Sequence, residues 1–262
     1  LLSICFSSAE RASALEPRPN LFEVGFTYSN YDYSEKLTWP DKSDEEGNIP
    51  GICINYTYRK PKDLYFNIFG EIAWGETDYD GSYQDGTPAQ GTTENIFARY
   101  DLNLGYTFLL WEKLTITPFI GIGSAQWRRD LQKHTPYYFS EKYMWDYAPA
   151  GLLITWEPTS RLSISARGVY RYMFDAKMKI NGYISNKQAR DLGDRYEYLI
   201  ETPVGIRLSE HFNLNIVPSY SVRKFKQSKD FPSMIGDQVY LIYEPASRAI
   251  TRGISVRIGY LF

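Results

Sequence analysis

The segment ITRGISVRIGYLF, residues 250–262, decides the fold. Ile254, Val256, Ile258, Tyr260 and Phe262 alternate with Ser255, Arg257 and Gly259. A period of two belongs to an extended strand, whose successive side chains point to opposite faces. One face is aliphatic and aromatic, the other polar or small.

The same rhythm runs through the rest of the chain. FEVGFTYSNY (22–31) sets Phe22, Val24, Phe26 and Tyr28 against Glu23, Gly25, Thr27 and Ser29. GICINYTYR (51–59), LYFNIFGEIAW (64–74), IFARYDLNLGYTF (96–108) and LTITPFIGIG (114–123) repeat it. YMWDYAPAGLLITW (143–156) is less regular, and a bulge is expected near Gly151. LSISARGVYRYMF (162–174), YEYLIETPVGIRL (196–208) and FNLNIVPSYSVR (212–223) bring the total to ten expected strands, each of about 10 to 15 residues.

The connections alternate in length. RKPKD, WEKL, EPTSR and SEH are short, whereas 34–48, 79–94, 130–142, 177–194 and 226–247 are long and polar. Strict alternation of tight turns with long loops is the pattern of an up-and-down barrel in an outer membrane. No apolar run reaches the ~18 residues of a membrane-crossing helix, a limit that does not apply to half-apolar strands. The net charge of −2 gives no reason to expect a nucleic-acid partner.

Aromatic residues make up 16% of the 262, and 23 of them are tyrosines. Antiparallel folding gathers Phe22, Tyr58, Phe66, Phe108, Trp111, Trp156, Phe212, Tyr260 and Phe262 at the short-turn end. It gathers Tyr31, Trp74, Tyr100, Trp145, Tyr147, Tyr172, Phe174 and Tyr198 at the long-loop end. Two aromatic belts around an aliphatic band form the membrane-interface pattern.

The terminal strand, closing on Tyr260-Leu261-Phe262, resembles the C-terminal sorting signal of bacterial outer-membrane β-barrels. The resemblance implies an all-β, ten-stranded, antiparallel up-and-down transmembrane barrel. It also implies lipid and lipopolysaccharide contact, engagement of the barrel-assembly machinery, and both termini on the periplasmic side. The start, LLSICFSSAERASALEP, reads as the tail of a secretory signal with Ala12-Ser13-Ala14 before the cut. Residues 1–14 are therefore expected to be residual signal peptide and 15–262 one barrel domain. Cys53 is then the one cysteine of the mature chain.

By alternation the inward face carries Glu23, Glu71, Asp101, Asp146, Asp175, Glu197 and Glu201. It also carries Arg59, Arg99, Arg167, Arg171, Arg207, Arg223 and Arg257. Arginine forks pair carboxylates at two points, and a ten-stranded barrel is little wider than the eight-stranded ones that side chains fill. A lumen largely plugged by ion pairs is expected. Balanced charge argues against an ion-selective ring.

Ten strands and this size make the chain similar to the omptin proteases, which pair acidic residues with an Asp–His couple across an outer cleft. Glu76, Asp78 and Asp80, or Asp191 and Asp194, supply acids, but no histidine accompanies them. The histidines are His134 and His211. A triad of His134, Ser140 and Asp130 would lie within one loop. The acidic groups Asp41, Asp44, Glu45, Glu46 and Asp78, Asp80, Asp85 fit no ordered calcium loop. No catalytic residue, metal site or cofactor is assigned. The expected function is a non-catalytic, monomeric barrel with a structural role or one that binds an extracellular ligand through its loops. A narrow porin or small-solute transporter, and an outer-leaflet lipid- or peptide-modifying enzyme, are the alternatives.

Overall fold

A computed structural model describes residues 18–36, 43–82, 87–185, 190–192 and 195–262. The expected signal segment, and Asp41, Asp85 and Asp194, lie outside the described residues. Seven long strands come first: β1 (Asn20–Lys36), β2 (Ser43–Arg59), β3 (Asp63–Ser82), β4 (Pro88–Trp111), β5 (Leu114–Leu131), β6 (Phe139–Thr159) and β7 (Leu162–Gly182). Then come β8 (Ile184–Ser185), β9 (Arg190–Asp191), β10 (Arg195–Glu201), β11 (Val204–Arg207), β12 (Phe212–Phe225), β13 (Phe231–Ile235), β14 (Gln238–Ile242) and β15 (Ala246–Leu261).

Neighbours pair antiparallel in sequence order, and β15 closes the ring against both β1 and β12. β10 and β11 are one barrel strand. They keep one register against β7 and β12, and the break falls at Thr202-Pro203. Proline has no N–H to give to the ladder, yet its carbonyl accepts from Ser165 N at 2.8 Å. Among the described residues the barrel therefore has ten strands. β8, β13 and β14 form a separate three-stranded sheet.

The outward face bears out the aliphatic band. Phe26 is 76% exposed, Ile120 70% and Trp111 71%. So large an apolar surface suits lipid, not water. Along β3 the band runs from Leu64 to Trp74. Ten residues span ~33 Å of strand, or ~25 Å once the strand tilts by ~40°. Tyr260 and Phe262 sit on this face with stacked rings, centroids 6.2 Å apart, and Tyr56 lies 6.5 Å from Phe262.

The strands are longer than the alternation signal indicated, because the ladders continue past the apolar band. Register holds to Ser34↔Asp44 between β1 and β2 and to Ser82↔Pro88 between β3 and β4. Much of the sequence read as long loop is thus hairpin. Outward side chains there are Asp32, Glu46, Glu76, Asp78, Lys142, Arg248 and Arg252. The barrel rises past its apolar band as a collar wet on the outside.

Three members of the expected upper belt point inward instead. Tyr31, Trp145 and Tyr147 are each 4% exposed or less. No bulge occurs at Gly151; Phe119 packs on it so closely that an added Cβ would stand 2.4 Å from the ring. The β6–β7 register shifts instead between Met144 and Asp146, opposite Asp175 on β7, and again next to the turn between Trp156 and Thr159. Asp175 has φ 53°, the left-handed region that Asp tolerates better than most residues. One extra residue there exchanges the faces of all that follows.

Candidate functional site

The lumen concentrates the chemistry of this chain. At the short-turn end an amide relay crosses several strands. Asn103 Nδ2 donates to Asn67 Oδ1 at 3.1 Å, Asn67 Nδ2 to Asn55 Oδ1 at 2.7 Å, and Asn55 Nδ2 to Glu23 Oε2 at 2.6 Å. Asn215 Nδ2 reaches the other oxygen of Glu23 at 2.5 Å. Glu23, 2% exposed, thus has both carboxylate oxygens satisfied by side-chain amides.

Above this relay come ion pairs. Arg167 Nη1 meets Glu201 at 2.5 Å and Arg99 Nε meets Glu71 at 2.7 Å. Arg171 bridges Glu197 at 2.7 Å and Asp101 at 3.3 Å, and Arg223 adds a second cation to Glu197 at 3.3 Å. Arg59 pairs with Glu157 at 3.2 Å near the turns. The inward aromatics give these cations faces to lie on. Arg171 covers Tyr147, Arg223 covers Trp145, Arg167 covers Phe119, and Arg99 and Arg257 both stand over Phe69, all within 5.2 Å of the ring centroids. Contacts of this kind contribute ~1–2 kcal/mol each. Arg207 lines the cavity at the short-turn end.

Two expected members are elsewhere. Asp146 shares the outward face of β6 with Lys142 and Ala148, since Trp145 and Tyr147 take the inward positions. Asp175 occupies the bulge, its side chain 55% exposed and paired with Lys177 at 2.6 Å.

A second network, which the sequence reading missed, fills the collar. Arg129, 2% exposed, binds Glu45 at 2.5 Å and Glu141 at 3.0 Å, with Glu35 at 3.8 Å. Asn95 donates to Glu45 at 2.8 Å and accepts from Trp127 Nε1 at 2.7 Å. Trp127 has no exposed surface and sits among Tyr33, Phe97 and Tyr143, centroids 4.8 to 5.4 Å away. The Tyr143 hydroxyl lies 3.2 Å from Glu141 and 2.5 Å from Glu244. One phenolic proton cannot serve both carboxylates, so one carboxyl brings its own. Burial first, then Glu141 and Glu35, push Glu244 well above the ordinary carboxylate range, while burial raises Glu141. Burial thus favours the neutral form at Glu244. Its backbone is tied to Ser228, whose N–H donates to the Glu244 carbonyl at 2.9 Å and whose Oγ accepts from the Glu244 N–H at 2.8 Å.

The surface histidine does not assemble a triad. His134 is exposed in the β5–β6 turn at φ 73°, and Asp130 accepts from Arg128 Nε at 3.0 Å and Tyr138 OH at 3.1 Å. His211 is at the opposite end, stacked on Tyr260 with its Nδ1 3.1 Å from the Leu261 carbonyl. Glu76, Asp78 and Asp44 face outward, while Glu45 faces Arg129. Among the described residues no three His, Cys, Asp or Glu side chains cluster as metal ligands.

No protein-family model matches the chain, and no curated protein does. Solved structures do. The outer membrane protease OmpT from Escherichia coli superposes with a TM-score of 0.67 at 10% identity, covering 93% of this chain and 96% of that one. The translocator domain of the autotransporter NalP from Neisseria meningitidis gives 0.47 at 7% identity over 95% and 91%. The β domain of the Bordetella autotransporter BrkA gives 0.46 at 12% identity over 94% and 100%. Identity this low speaks to fold alone. With its closed antiparallel ring of ten strands, the chain has the fold of the bacterial outer-membrane β-barrels.

Proposed function

We propose that the chain is a non-catalytic outer-membrane barrel with a largely closed lumen and a surface role carried by its collar. The short turns then face the periplasm and the collar faces outward, where it meets lipopolysaccharide and extracellular ligands as a monomer. One observation carries this reading: Trp127 and Arg129, 0% and 2% exposed, stand at the centre of the collar lumen among packed rings and carboxylates. A path for ions would need that stack to part. Conductance of the refolded protein in a planar bilayer tests it. Silence across a wide voltage range is the expected result, and discrete reproducible openings would overturn it.

A narrow pore is the second reading. It is favoured by two cavities, of about 350 and 100 Å³, that share Phe69, Arg99, Arg171, Glu201 and Arg257 on their walls. The shared residues make them neighbours in the lower lumen, with ionic side chains on the common wall.

A further inference from the structure

The larger of the two cavities has a chemistry of its own. It reaches from turn residues Pro61, Thr159 and Ser160 up to Phe69, so it opens at the short-turn end. Eight arginines and three glutamates line it, with no lysine or aspartate. Much of that positive charge is answered within the wall. Arg59 has Glu157 and Arg167 has Glu201, while Arg99 and Arg171 turn to carboxylates behind the lining.

Arg257 is different. Among the described residues it forms no ion pair. Its Nε donates to Ser255 Oγ at 3.0 Å, and its guanidinium stands 5.2 Å from the Phe69 centroid. The third lining glutamate, Glu23, is held by Asn55 and Asn215. Glu23 offsets one of the arginine charges, and Arg161, exposed at the mouth and without an ion pair among the described residues, leaves the chamber with more cation than anion. Protein walls of low dielectric focus such a field on a bound anion. Guanidinium forks fit phosphate oxygens two at a time. At ~30 Å³ per water molecule the space holds about a dozen waters, and its volume is at the lower end of small-molecule sites.

We propose that this chamber binds a small solute carrying two or more negative charges on phosphate groups, with Arg257 as its central cation. The site does not depend on the closed lumen. A blind chamber and a pore vestibule would both hold the anion, and conductance separates those cases without touching this one.

The test is calorimetric titration of the refolded full chain with inorganic pyrophosphate, at low ionic strength in an uncharged detergent. Saturable one-to-one binding is expected, weakened about tenfold or more in Arg257→Gln, the loss of one charge-assisted contact. Arg161→Gln, exposed at the mouth and tolerant of change, serves as the second variant and should weaken binding about threefold. Arg252→Gln, on the outward face of the collar, should bind as the unaltered protein does. No binding at ~1 mM, where affinity falls to ~4 kcal/mol, would overturn the proposal. So would full affinity in both cavity variants, or loss of binding in Arg252→Gln.

Discussion

Replacing Arg171 with Met asks how dry the middle of the lumen is. Arg171 and Asp101 are each 2% exposed, and Glu197 is 4% exposed. The change keeps most of the stem volume but removes the guanidinium. Glu197 retains Arg223 at 3.3 Å, so it is not stranded. Asp101 is. Arg171 is its ion-pair partner, and its other oxygen, Oδ1, has no hydrogen bond among the described residues. A buried carboxylate stripped of its cation costs ~3–5 kcal/mol, and the lost stacking on Tyr147 adds ~1 kcal/mol. The expected deficit for Arg171→Met is therefore ~4–6 kcal/mol. It is measured by denaturant unfolding of the refolded barrel, followed by tryptophan fluorescence. Adding Asp101→Asn removes the stranded charge and should restore at least ~2 kcal/mol. A single variant within ~1 kcal/mol of the unaltered protein would mean that water solvates Asp101, and the dry-network reasoning would fail. A double variant no better than the single one would refute the assignment of the cost to Asp101.

Two further expectations concern the collar and the bulge. Glu244 has a folded-state pKa above its unfolded value, so its stabilising contribution is full below the ordinary carboxylate range and is lost as pH rises through the folded value. Glu141, Glu35, Tyr143, Arg129 and Tyr33 are the charged and titratable groups facing it. Hydrogen-exchange protection of the β13–β14 hairpin, corrected for intrinsic rates, should fall as pH rises above the ordinary carboxylate range and stay flat in Glu244→Gln; parallel profiles would sink the idea. For the bulge, Asp175→Cys should react quickly with a polar thiol reagent in the refolded protein while Met173→Cys, at a position 0% exposed, stays protected. Equal labelling of the two would place the register shift elsewhere.

The barrel itself was legible because lipid imposes a strict rule: within the apolar band every second residue must be greasy, and segments such as 22–28 and 250–262 obey it. Twelve of the fourteen expected inward charges line or approach the lumen for the same reason. Asp175 departs from the expected face because the bulge falls on it, and Asp146 because its aromatic neighbours do not face lipid. Trp145 and Tyr147 instead lie beneath Arg223 and Arg171. The Arg129 network was invisible for a different reason. Past the band both faces of a strand are polar, so Glu45 inside and Glu46 outside read alike. Only the three-dimensional register tells them apart.

The collar has a consequence for how this surface can vary. Its outward residues sit on the same ladders as Arg129, Glu45 and Trp127. An outward side chain can be exchanged freely without disturbing the interior, which offers the environment a mosaic of every second residue. Length is another matter. Inserting one residue into a collar strand would carry Glu45 or Trp127 to the outside and its neighbour in, unless a bulge like that at Asp175 absorbed the change. Lineages of this protein should therefore diversify the collar by substitution and by paired insertions, and keep single-residue length changes for the hairpin tips.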